Sequence, residues 1–259
     1  MEKSRNFIES LSRGLSILSI LSESSTPLNL TELSHQLLLS KSTIQRLTFT
    51  LQRLGYLDRD GETKKFRPGP KVLSLGFAVM RNLDLKKVAL PYLEETSREI
   101  GETVNLAVLD GTEIVYVERI KTQQILNINL HVGSRLPVHC TSMGKAILAF
   151  LFESHLDEIF KKIKLPLLTS ETLTREDDLR KELKKIKARG FAVNNEELSI
   201  GLRSVAAPVR NYKGEVIAAV NIAVPSIRVS LRKLETVLAE KVVETANKIS
   251  FTLGYKPMP

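Results

Sequence analysis

The chain has few of the features that define secreted, disulfide-rich or membrane proteins. Its single cysteine, Cys140, excludes an internal disulfide framework and a cysteine-rich metal site, but not a site built from histidine and carboxylate ligands. No apolar run approaches the about 20 residues needed to cross a bilayer, and no tract has low complexity. The first residues, MEKSRNFIESL, are charged and then amphipathic, unlike a signal peptide. We therefore expect a cytoplasmic protein with globular cores and no membrane partner.

Basic residues exceed acidic residues, and the excess is concentrated in the first third of the chain. The net charge is +9. Residues 1–83 contain 12 basic and 7 acidic side chains, whereas residues 84–259 contain 26 and 22. This distribution favours attraction to phosphate, which dominates nucleic-acid affinity. Charge alone does not distinguish DNA from RNA or from an anionic membrane surface.

Residues 28–54 have the pattern of two short helices joined by a tight link. Asn29 and Glu32 predict a capping box at the start of the first helix. Apolar residues follow at helical spacing: Leu30, Leu33 and Leu37, then Ile44, Leu47, Leu51 and Leu54. The opposite face of the second helix carries hydrogen-bonding groups suited to phosphates and base edges. These predicted DNA contacts are Ser42, Thr43, Gln45, Arg46, Thr50 and Arg53.

A basic hairpin is predicted directly after the second helix. Gly55 suits a left-handed helix end, and Asp60-Gly61 favours a tight turn between strands. The arms of the hairpin add further predicted DNA contacts: Arg59, Lys64, Lys65 and Arg67. One more predicted contact, Arg13, lies near the start of the chain. A polar helix face alone is usually only solvated. The complete order of helix, link, polar-faced helix, glycine and basic hairpin predicts a winged helix-turn-helix that binds DNA.

Helices are also predicted on both sides of this motif. Ile8, Leu11, Leu15, Leu18 and Leu21 fall at helical intervals over residues 7–22. Pro68-Gly69-Pro70 then marks the end of the DNA-binding domain, so we assign residues 1–69 to that domain and 70–83 to a linker helix. The linker has an apolar stripe that requires a packing partner in the second domain or in another subunit. Its members are Val72, Leu75, Val79 and Leu83.

Residues 84–259 have a mixed helix and strand pattern. Helices are predicted over residues 85–100, 141–152, 175–189 and 227–253, and strands over 104–109, 114–117, 125–132, 191–193, 205–209 and 216–224. Asp110-Gly111 predicts a hairpin between the first two strands. This order predicts an α+β domain in which one largely antiparallel sheet packs against helices.

Four segments together resemble the IclR family of bacterial transcriptional regulators over nearly the whole chain. They are SLSRGLSILSIL, LTELSHQLLLSKSTIQRLTFTLQRLGYL, GSRLPVHCTSMGKAIL and RGFAVNNEELSIGLRSVAAPVRNYKGEVIAAVNIAVP. The resemblance implies a GAF-like effector-binding domain, homodimers or homotetramers, and control of catabolic operons by small acidic metabolites. DGTEIVYVERI followed by GSRLP is most similar to members that sense aromatic acids.

The resemblance also implies the positions of the effector pocket. They are Ile125, Ile128, Leu136, Ser142, Met143, Asn194, Leu202, Ser204, Asn221 and Ala223. Apolar walls with a few polar groups suit a small amphiphilic ligand, which we expect to be a carboxylate. Asn194 and Asn221 depart from the acid and the hydroxyl that some relatives carry, and this leaves the identity of the ligand open.

Three groups of residues in this domain have alternative interpretations. The start of the 141–152 helix, with Ser142 and Gly144, suits a carboxylate, but Thr141 or Ser142 can equally act as a simple cap. Adjacent Glu196 and Glu197 point to opposite faces if they lie in a strand, so a solvated or salt-bridged loop is favoured over an acid/base pair. Arg135 is either an anion partner or a surface residue.

Three functional hypotheses follow. The leading one is a ligand-responsive transcription factor whose dimer reads a pseudo-palindromic operator in double-stranded DNA. The second is an enzyme that uses Cys140 with His139, or the two glutamates. It lacks a P-loop, a dinucleotide fingerprint, a metal-binding histidine pair and a serine elbow, and a buried thiol is the simpler interpretation of Cys140. The third is an architectural DNA-binding protein without a ligand. No cofactor or metal is predicted.

Overall fold

Helices and a hairpin form the first of the two units into which the chain divides, Met1–Leu83 and Asp84–Pro259. The structure, a computed structural model, describes residues 7–75, 84–122 and 130–256. In the first unit the elements are α1 (Glu9–Glu23), α2 (Leu30–Leu37), α3 (Lys41–Arg53), β1 (Leu57–Arg59) and β2 (Phe66–Pro68). Residues 70–75 are helical and form α4. Val79 and Leu83 of the predicted linker stripe lie outside the described residues.

The first unit has its own hydrophobic core. Seven side chains from every major element are buried in it: Ile17, Leu21, Leu28, Leu33, Ile44, Leu57 and Phe66. The predicted capping box is confirmed, because Asn29 Oδ1 accepts from Glu32 N at 3.0 Å and Glu32 accepts from Asn29 N at 2.6 Å. Gly55 follows α3 with φ +80°, as predicted. The packed helices and the antiparallel β1–β2 hairpin confirm the winged helix-turn-helix.

The predicted apolar stripe of α1 is only partly correct. Ile17, Leu21 and Gly14 form its buried face. Ile8, Leu11 and Leu15 are instead exposed, at 62%, 59% and 54% of their surfaces. The helix therefore carries two apolar rows, one in the core and one on the surface. Helical spacing in the sequence does not show which of the two rows is buried. A similar shift occurs in α3, where Ile44 and Thr48 are buried and Leu54 is half exposed.

The turn of the hairpin is also different from the prediction. The strands are joined by a six-residue loop over 60–65, whose ends are linked by a 2.9 Å hydrogen bond from Asp60 N to Lys65 O. Asp60 Oδ1 accepts from the backbone N–H and the hydroxyl of Thr63 at 2.7 and 2.8 Å. These bonds lower the pKa of Asp60. The left-handed residue is Lys64, at φ 57°, so the side chain of Asp60 organises a wider loop than the Asp-Gly signal predicts.

Within its described residues, the second unit consists of six antiparallel strands and several helices. The strands are β3 (Thr103–Asp110), β4 (Glu113–Ile120), β5 (Arg135–Pro137), β6 (Ala192–Asn195), β7 (Leu202–Arg210) and β8 (Val216–Pro225), in the order β5-β4-β3-β8-β7-β6. The helices are α5 (Asp84–Ile100), α6 (Ser142–Leu148), α7 (Glu153–Phe160), α8 (Glu176–Arg189), α9 (Leu231–Lys233) and α10 (Ala239–Thr252), with π-helical Leu234–Leu238 between the last two.

Helices cover the sheet on both faces. α5 and α10 pack together and against β3, β7 and β8, whereas α6 packs against β7, β8 and α8. All seven residues of α6 are buried, and Met143 and Ile147 lie in a core cluster with Ala206 and Ala219 of the sheet. Alternate residues of each strand therefore face the α6 side. This architecture confirms the predicted α+β class.

Several element boundaries differ from the sequence predictions. The helix predicted over 141–152 ends at Leu148, and a separate helix, α7, begins at Glu153. Phe150 and Leu151 between them still pack on the core, so the apolar periodicity continues across the break. Residues 130–132, at the end of the strand predicted over 125–132, are not a strand, and the remainder lies outside the described residues. The short strand β5 was not predicted.

Candidate functional site

The solvent-facing side of α3 presents a continuous polar surface. Ser40 caps the helix by accepting from Thr43 N at 3.2 Å. Thr43 is half-buried, whereas the other predicted contacts on this helix are exposed: Ser42, Gln45, Arg46, Thr50 and Arg53. Among the described residues, the Arg46 guanidinium makes no hydrogen bond or ion pair. It is therefore available to a base edge or a phosphate without first leaving a protein partner.

An aromatic side chain that the sequence analysis missed lies within this polar surface. Phe49 is 60% exposed, and the Arg53 guanidinium lies 5.5 Å from its ring centroid. Helical spacing places Phe49 on the same face as Gln45 and Arg46. Apolar groups on such a face can contact the methyl group of thymine. The signal was present in the sequence, because Phe49 falls outside the apolar stripe of α3.

The basic side chains of the hairpin differ in their exposure and in their contacts within the protein. Arg67 is exposed and lies 3.8 Å from Asp58, a weak surface ion pair. Arg59 stacks over the buried Phe66 ring at 5.4 Å, and Lys64 donates to the carbonyl of Gly61. Lys65 is half-buried. These four cations project from one small hairpin, an arrangement suited to a phosphate backbone.

A groove of about 830 Å³ lies between α1 and α3. Arg13 of α1 and Arg46 of α3 both line it, together with exposed Leu11, Leu15 and Leu54. Arg13 pairs with Glu9 at 3.2 Å and is only partly exposed. The groove thus combines two of the predicted DNA contacts with the outer apolar row of α1.

A small cavity of about 20 Å³ lies on the α6 side of the second unit's sheet. It is lined by Asn105, Tyr116, Arg119, Leu130, Thr141, Asn194, Leu198, Leu202, Ser204, Asn221 and Ala223. Its volume is enough for about one water molecule. Any organic ligand must therefore move the walls as it enters, which couples binding to a change in the structure of this unit.

A row of polar side chains crosses three neighbouring strands beneath this cavity. Asn105 of β3 is the register partner of Arg119 on β4 and of Asn221 on β8. The amide of Asn105 donates to Asn221 Oδ1 at 2.7 Å. In a second row, two residues along the strands, Ser204 of β7 pairs with Asn194 in register, and its hydroxyl lies 2.7 Å from that of Ser142.

Half of the predicted effector positions line the cavity: Asn194, Leu202, Ser204, Asn221 and Ala223. Ser142 reaches it through its hydrogen bond to Ser204. Met143 and Leu136 pack in the core cluster instead, and Ile125 and Ile128 lie outside the described residues. The lining residues that sequence reasoning missed include Asn105, Tyr116 and Arg119. All three belong to the first hairpin, whose pairing register is needed to place them beside β8.

The start of α6 is held by protein groups. Thr141 Oγ1 accepts from Gly144 N at 3.2 Å and donates to Pro137 O at 3.0 Å, so this residue is the cap. Gly144 does not leave room for a ligand. A Cβ at this position would lie 2.3 Å from Val138 O, so glycine is required for packing against the chain itself.

The adjacent glutamates have separate cationic partners. Glu197 is buried and forms an ion pair with Lys145, which is 1% exposed. Glu196, at φ 62°, lies 3.4 Å from Arg203. Burial raises the pKa of Glu197 despite the nearby ammonium group. The salt-bridged loop is therefore correct, and the two carboxylates do not share a site.

Neither Arg135 nor Cys140 has the environment of a reactive or ligand-binding group. Arg135 forms ion pairs on the surface with Asp110 and Glu113, both at 2.7 Å, so its interpretation as an anion partner is wrong. Cys140 is fully buried, and burial raises the pKa of its thiol to about 12. The thiol is thus neutral at physiological pH and lacks the thiolate that nucleophilic catalysis requires.

His139 does not activate that thiol. Its Nε2 lies 3.2 Å from Pro166 O, and burial lowers its pKa. In the described part of the chain, no cluster of three or more histidine, cysteine or acidic residues is placed to bind a metal. No helix within the described ranges is both long and apolar enough to cross a bilayer.

The whole chain is similar to known bacterial regulators. Two family profiles match it: "Bacterial transcriptional regulator IclR C-terminal" over residues 77–251 and "IclR helix-turn-helix domain" over residues 10–61. The chain is 36% identical to the HTH-type transcriptional regulator XynR of Escherichia coli K12, covering 96% of this chain and 98% of that protein. It is also 36% identical to the Pca regulon regulatory protein of Pseudomonas putida, covering 89% of this chain and 79% of that protein.

A solved structure is similar along nearly its full length. The crystal structure of an IclR homolog from Microbacterium hydrocarbonoxydans complexed with 4-hydroxybenzoate is 26% identical, with a TM-score of 0.81. The similarity covers 95% of this chain and 99% of that chain. The sequence and structure comparisons therefore agree on both units.

Proposed function

Because the chain belongs to the IclR family of bacterial transcriptional regulators, we propose that it controls a catabolic operon in response to a small organic acid. DNA binding through the helix-turn-helix is the activity of the family. The finer proposal is that residues 84–259 bind the effector and that this binding changes operator affinity. The observation that carries it is the polar row beneath the cavity, where Asn105, Asn221 and Arg119 converge on one wall.

In this proposal each subunit inserts α3 into a major groove of double-stranded DNA. Arg46, with Gln45 and Thr43, contacts base edges, while Ser42 and Arg53 position the helix. The basic hairpin, with its cations at 59, 64, 65 and 67, contacts the phosphate backbone. Arg13 adds a contact from α1. A pseudo-palindromic operator is bound by two DNA-binding units at once, so the active species in this proposal is a homodimer or a tetramer.

The exposed apolar surface of α1 supports an assembly of more than one chain. Leu11 and Leu15 of α1 are each more than half exposed, and so are Phe7 and Ile8 directly before the helix. Contiguous apolar surface of this kind marks interfaces more often than free surface. We therefore propose that another copy of the chain covers it in the DNA-binding assembly.

The effector is proposed to bind in the cavity of the second unit. A relative has been solved with 4-hydroxybenzoate, and another regulates the Pca regulon, so carboxylates are reasonable first probes. Since the cavity admits about one water molecule, a ligand must favour a more open arrangement of its walls. The difference in the ligand's binding free energy between the open and closed arrangements limits how far the ligand can change operator affinity.

The test is a paired measurement on the full-length protein. We expect one class of carboxylate among aromatic acids, keto acids, hydroxy acids and semialdehydes to raise the melting temperature in a saturable manner. The same compound should change operator affinity by about 5- to 150-fold, the usual range of allosteric coupling. A compound that stabilises the protein with no effect on operator binding would separate ligand binding from regulation. A silent panel together with intact operator binding supports the architectural alternative.

A second prediction concerns Phe49. Replacement by alanine should weaken binding to an operator that contains thymine at the contacted position by about 5- to 10-fold, because an apolar contact to the thymine methyl group is lost. The same replacement should have little effect on binding to a site with uracil at that position, because uracil has no methyl group for Phe49 to contact. Gel-shift titrations of both proteins on both sites give this comparison. Equal losses on thymine and uracil sites would show that Phe49 acts by another route, such as holding Arg53.

A further inference from the structure

One cation in the cavity wall, Arg119, has no anionic partner in the described part of the chain. Arg119 is half-buried, and nothing among the described residues accepts a hydrogen bond from its buried Nε atom. No carboxylate of the described chain lies within ion-pair distance of its guanidinium. The neighbouring Glu118 carboxylate pairs with Lys86 at 2.8 Å instead. Burial lowers the pKa of Arg119, as expected for a desolvated cation without a counter-charge.

A second polar group in the same wall is also unsatisfied. Asn105 is 1% exposed and lines the cavity. Its amide nitrogen donates to Asn221, but in the part of the chain that the structure describes its Oδ1 has no hydrogen-bond partner. A buried acceptor left unpaired costs about 1–3 kcal/mol. Both groups line one cavity, so a molecule bound there can supply the partners that the described protein groups do not.

The spacing of these groups restricts the chemistry of that molecule. Asn105 and Arg119 are directly opposite each other across β3 and β4. The Cβ atoms of such a pair are about 4.5–5.5 Å apart. Both side chains line the same cavity, so one small ligand can reach both if it offers an anion to the arginine and a hydrogen-bond donor to the amide oxygen. The rest of the lining mixes polar groups with apolar ones, among them Leu198 and Leu202, and suits a short carbon chain that carries polar substituents.

We propose that Arg119 and Asn105 select a short 2-hydroxy acid as the effector, an inference that rests on the proposed function. Arg119 binds the carboxylate, and Asn105 Oδ1 accepts a hydrogen bond from the hydroxyl group on the adjacent carbon. Arg119 and Asn105 are neighbours in the polar row, so one ligand can contact both with its carboxylate and its hydroxyl group. An arginine–carboxylate pair is charge-assisted and excludes neutral analogues, and the buried amide oxygen disfavours acids that have no donor to offer.

The test uses the full-length protein and a panel of 2-hydroxy acids: glycolate, lactate, glycerate, 2-hydroxybutanoate and malate. For each acid that binds, calorimetric titration compares it with the acid that lacks the hydroxyl group and with the corresponding 2-hydroxy amide. We expect the 2-hydroxy acid to bind at least about 10-fold more tightly than either analogue. Arg119→Gln should abolish the preference for acid over amide. The double variant Asn105→Leu/Asn221→Leu should abolish the preference for the hydroxyl group, since it removes both partners of the amide pair.

Arg135→Gln is the matched control, because Arg135 already has two surface carboxylates and should leave both preferences unchanged. The melting temperature of ligand-free Arg119→Gln gives a further readout. We expect it to equal or exceed that of the unmodified protein, because the substitution removes an unpaired, desolvated cation. A purely structural arginine would instead give a lower value.

The contrary outcomes are distinct. If Arg119→Gln binds the same acid with unchanged affinity and selectivity, Arg119 is not the anchor, although the proposed effector control remains. Binding of other carboxylates but of no 2-hydroxy acid overturns the ligand class and also leaves that control in place. Failure of every organic acid to bind, with operator binding intact, overturns both the inference and the proposed function.

Discussion

Arg46→Ala is expected to reduce operator affinity by at least about 30-fold. A bidentate arginine contact to a base pair contributes about 1–3 kcal/mol of discrimination, and a dimer loses it in both subunits. The side chain lies on the exposed face of α3 and has no partner among the described residues, so its removal breaks no contact within the fold. The melting temperature should therefore stay unchanged. Fluorescence anisotropy with a labelled operator at fixed salt measures the loss.

Two controls separate base recognition from charge. Arg67→Ala removes a cation from the hairpin that we assign to phosphate contact, so it should weaken specific and non-specific DNA equally and reduce the salt dependence of binding. Arg175→Ala removes an exposed cation of the second unit and should have no effect on DNA. Arg46→Ala should instead affect operator DNA more than random DNA. An equal loss on both would assign Arg46 to the phosphate backbone.

Local signals in the sequence were enough for the DNA-binding unit. The capping box at Asn29 and Glu32, the glycine at 55 and the helical spacing of Leu33 and Ile44 each depend on neighbours within a few residues. Where a longer interaction decides the structure, the same reasoning was wrong. The loop after Asp60 follows hydrogen bonds to Thr63, and the exposure of Leu11 and Leu15 on α1 is decided by how the helices pack.

The candidate cavity required information that periodicity does not contain. Asn105, Arg119 and Asn221 are far apart in the chain and meet only through the register of β4, β3 and β8. The family resemblance supplied Asn221, Asn194 and Ser204, because those positions follow a pattern of the family. It did not supply Arg119. That side chain is found by asking which buried polar atoms lack a partner, and this question needs coordinates.

Lys145 is another residue whose role was hidden, and it carries the largest expected effect on stability. Within the sequence it is one member of a segment that resembles a helix start. In the structure it lies buried on α6 and pairs with Glu197 on the loop after β6. That loop is fixed further by Thr172, which donates to Glu197 O at 2.6 Å, and by Asn194, which accepts from Glu197 N at 2.9 Å. The ion pair therefore links α6 to the edge of the cavity.

Lys145→Met is expected to destabilise the protein by about 3–5 kcal/mol, because it leaves the Glu197 carboxylate buried without a counter-charge. The double variant Lys145→Met/Glu197→Leu should recover most of this loss, since an apolar pair has no charge to desolvate. Urea titrations of the full chain, followed by circular dichroism, compare the three proteins.

The pH dependence of Lys145→Met gives an independent check. Burial already raises the pKa of Glu197, and loss of the ammonium group raises it further. A carboxyl group with a raised folded-state pKa is most favourable when protonated, below its unfolded pKa, and loses stability as the pH rises through the folded pKa. The deficit of the single variant should therefore shrink as the pH falls from neutral, whereas the double variant should show no such trend. A deficit independent of pH would mean that lost packing of the lysine stem, and not the unpaired carboxylate, causes the destabilisation.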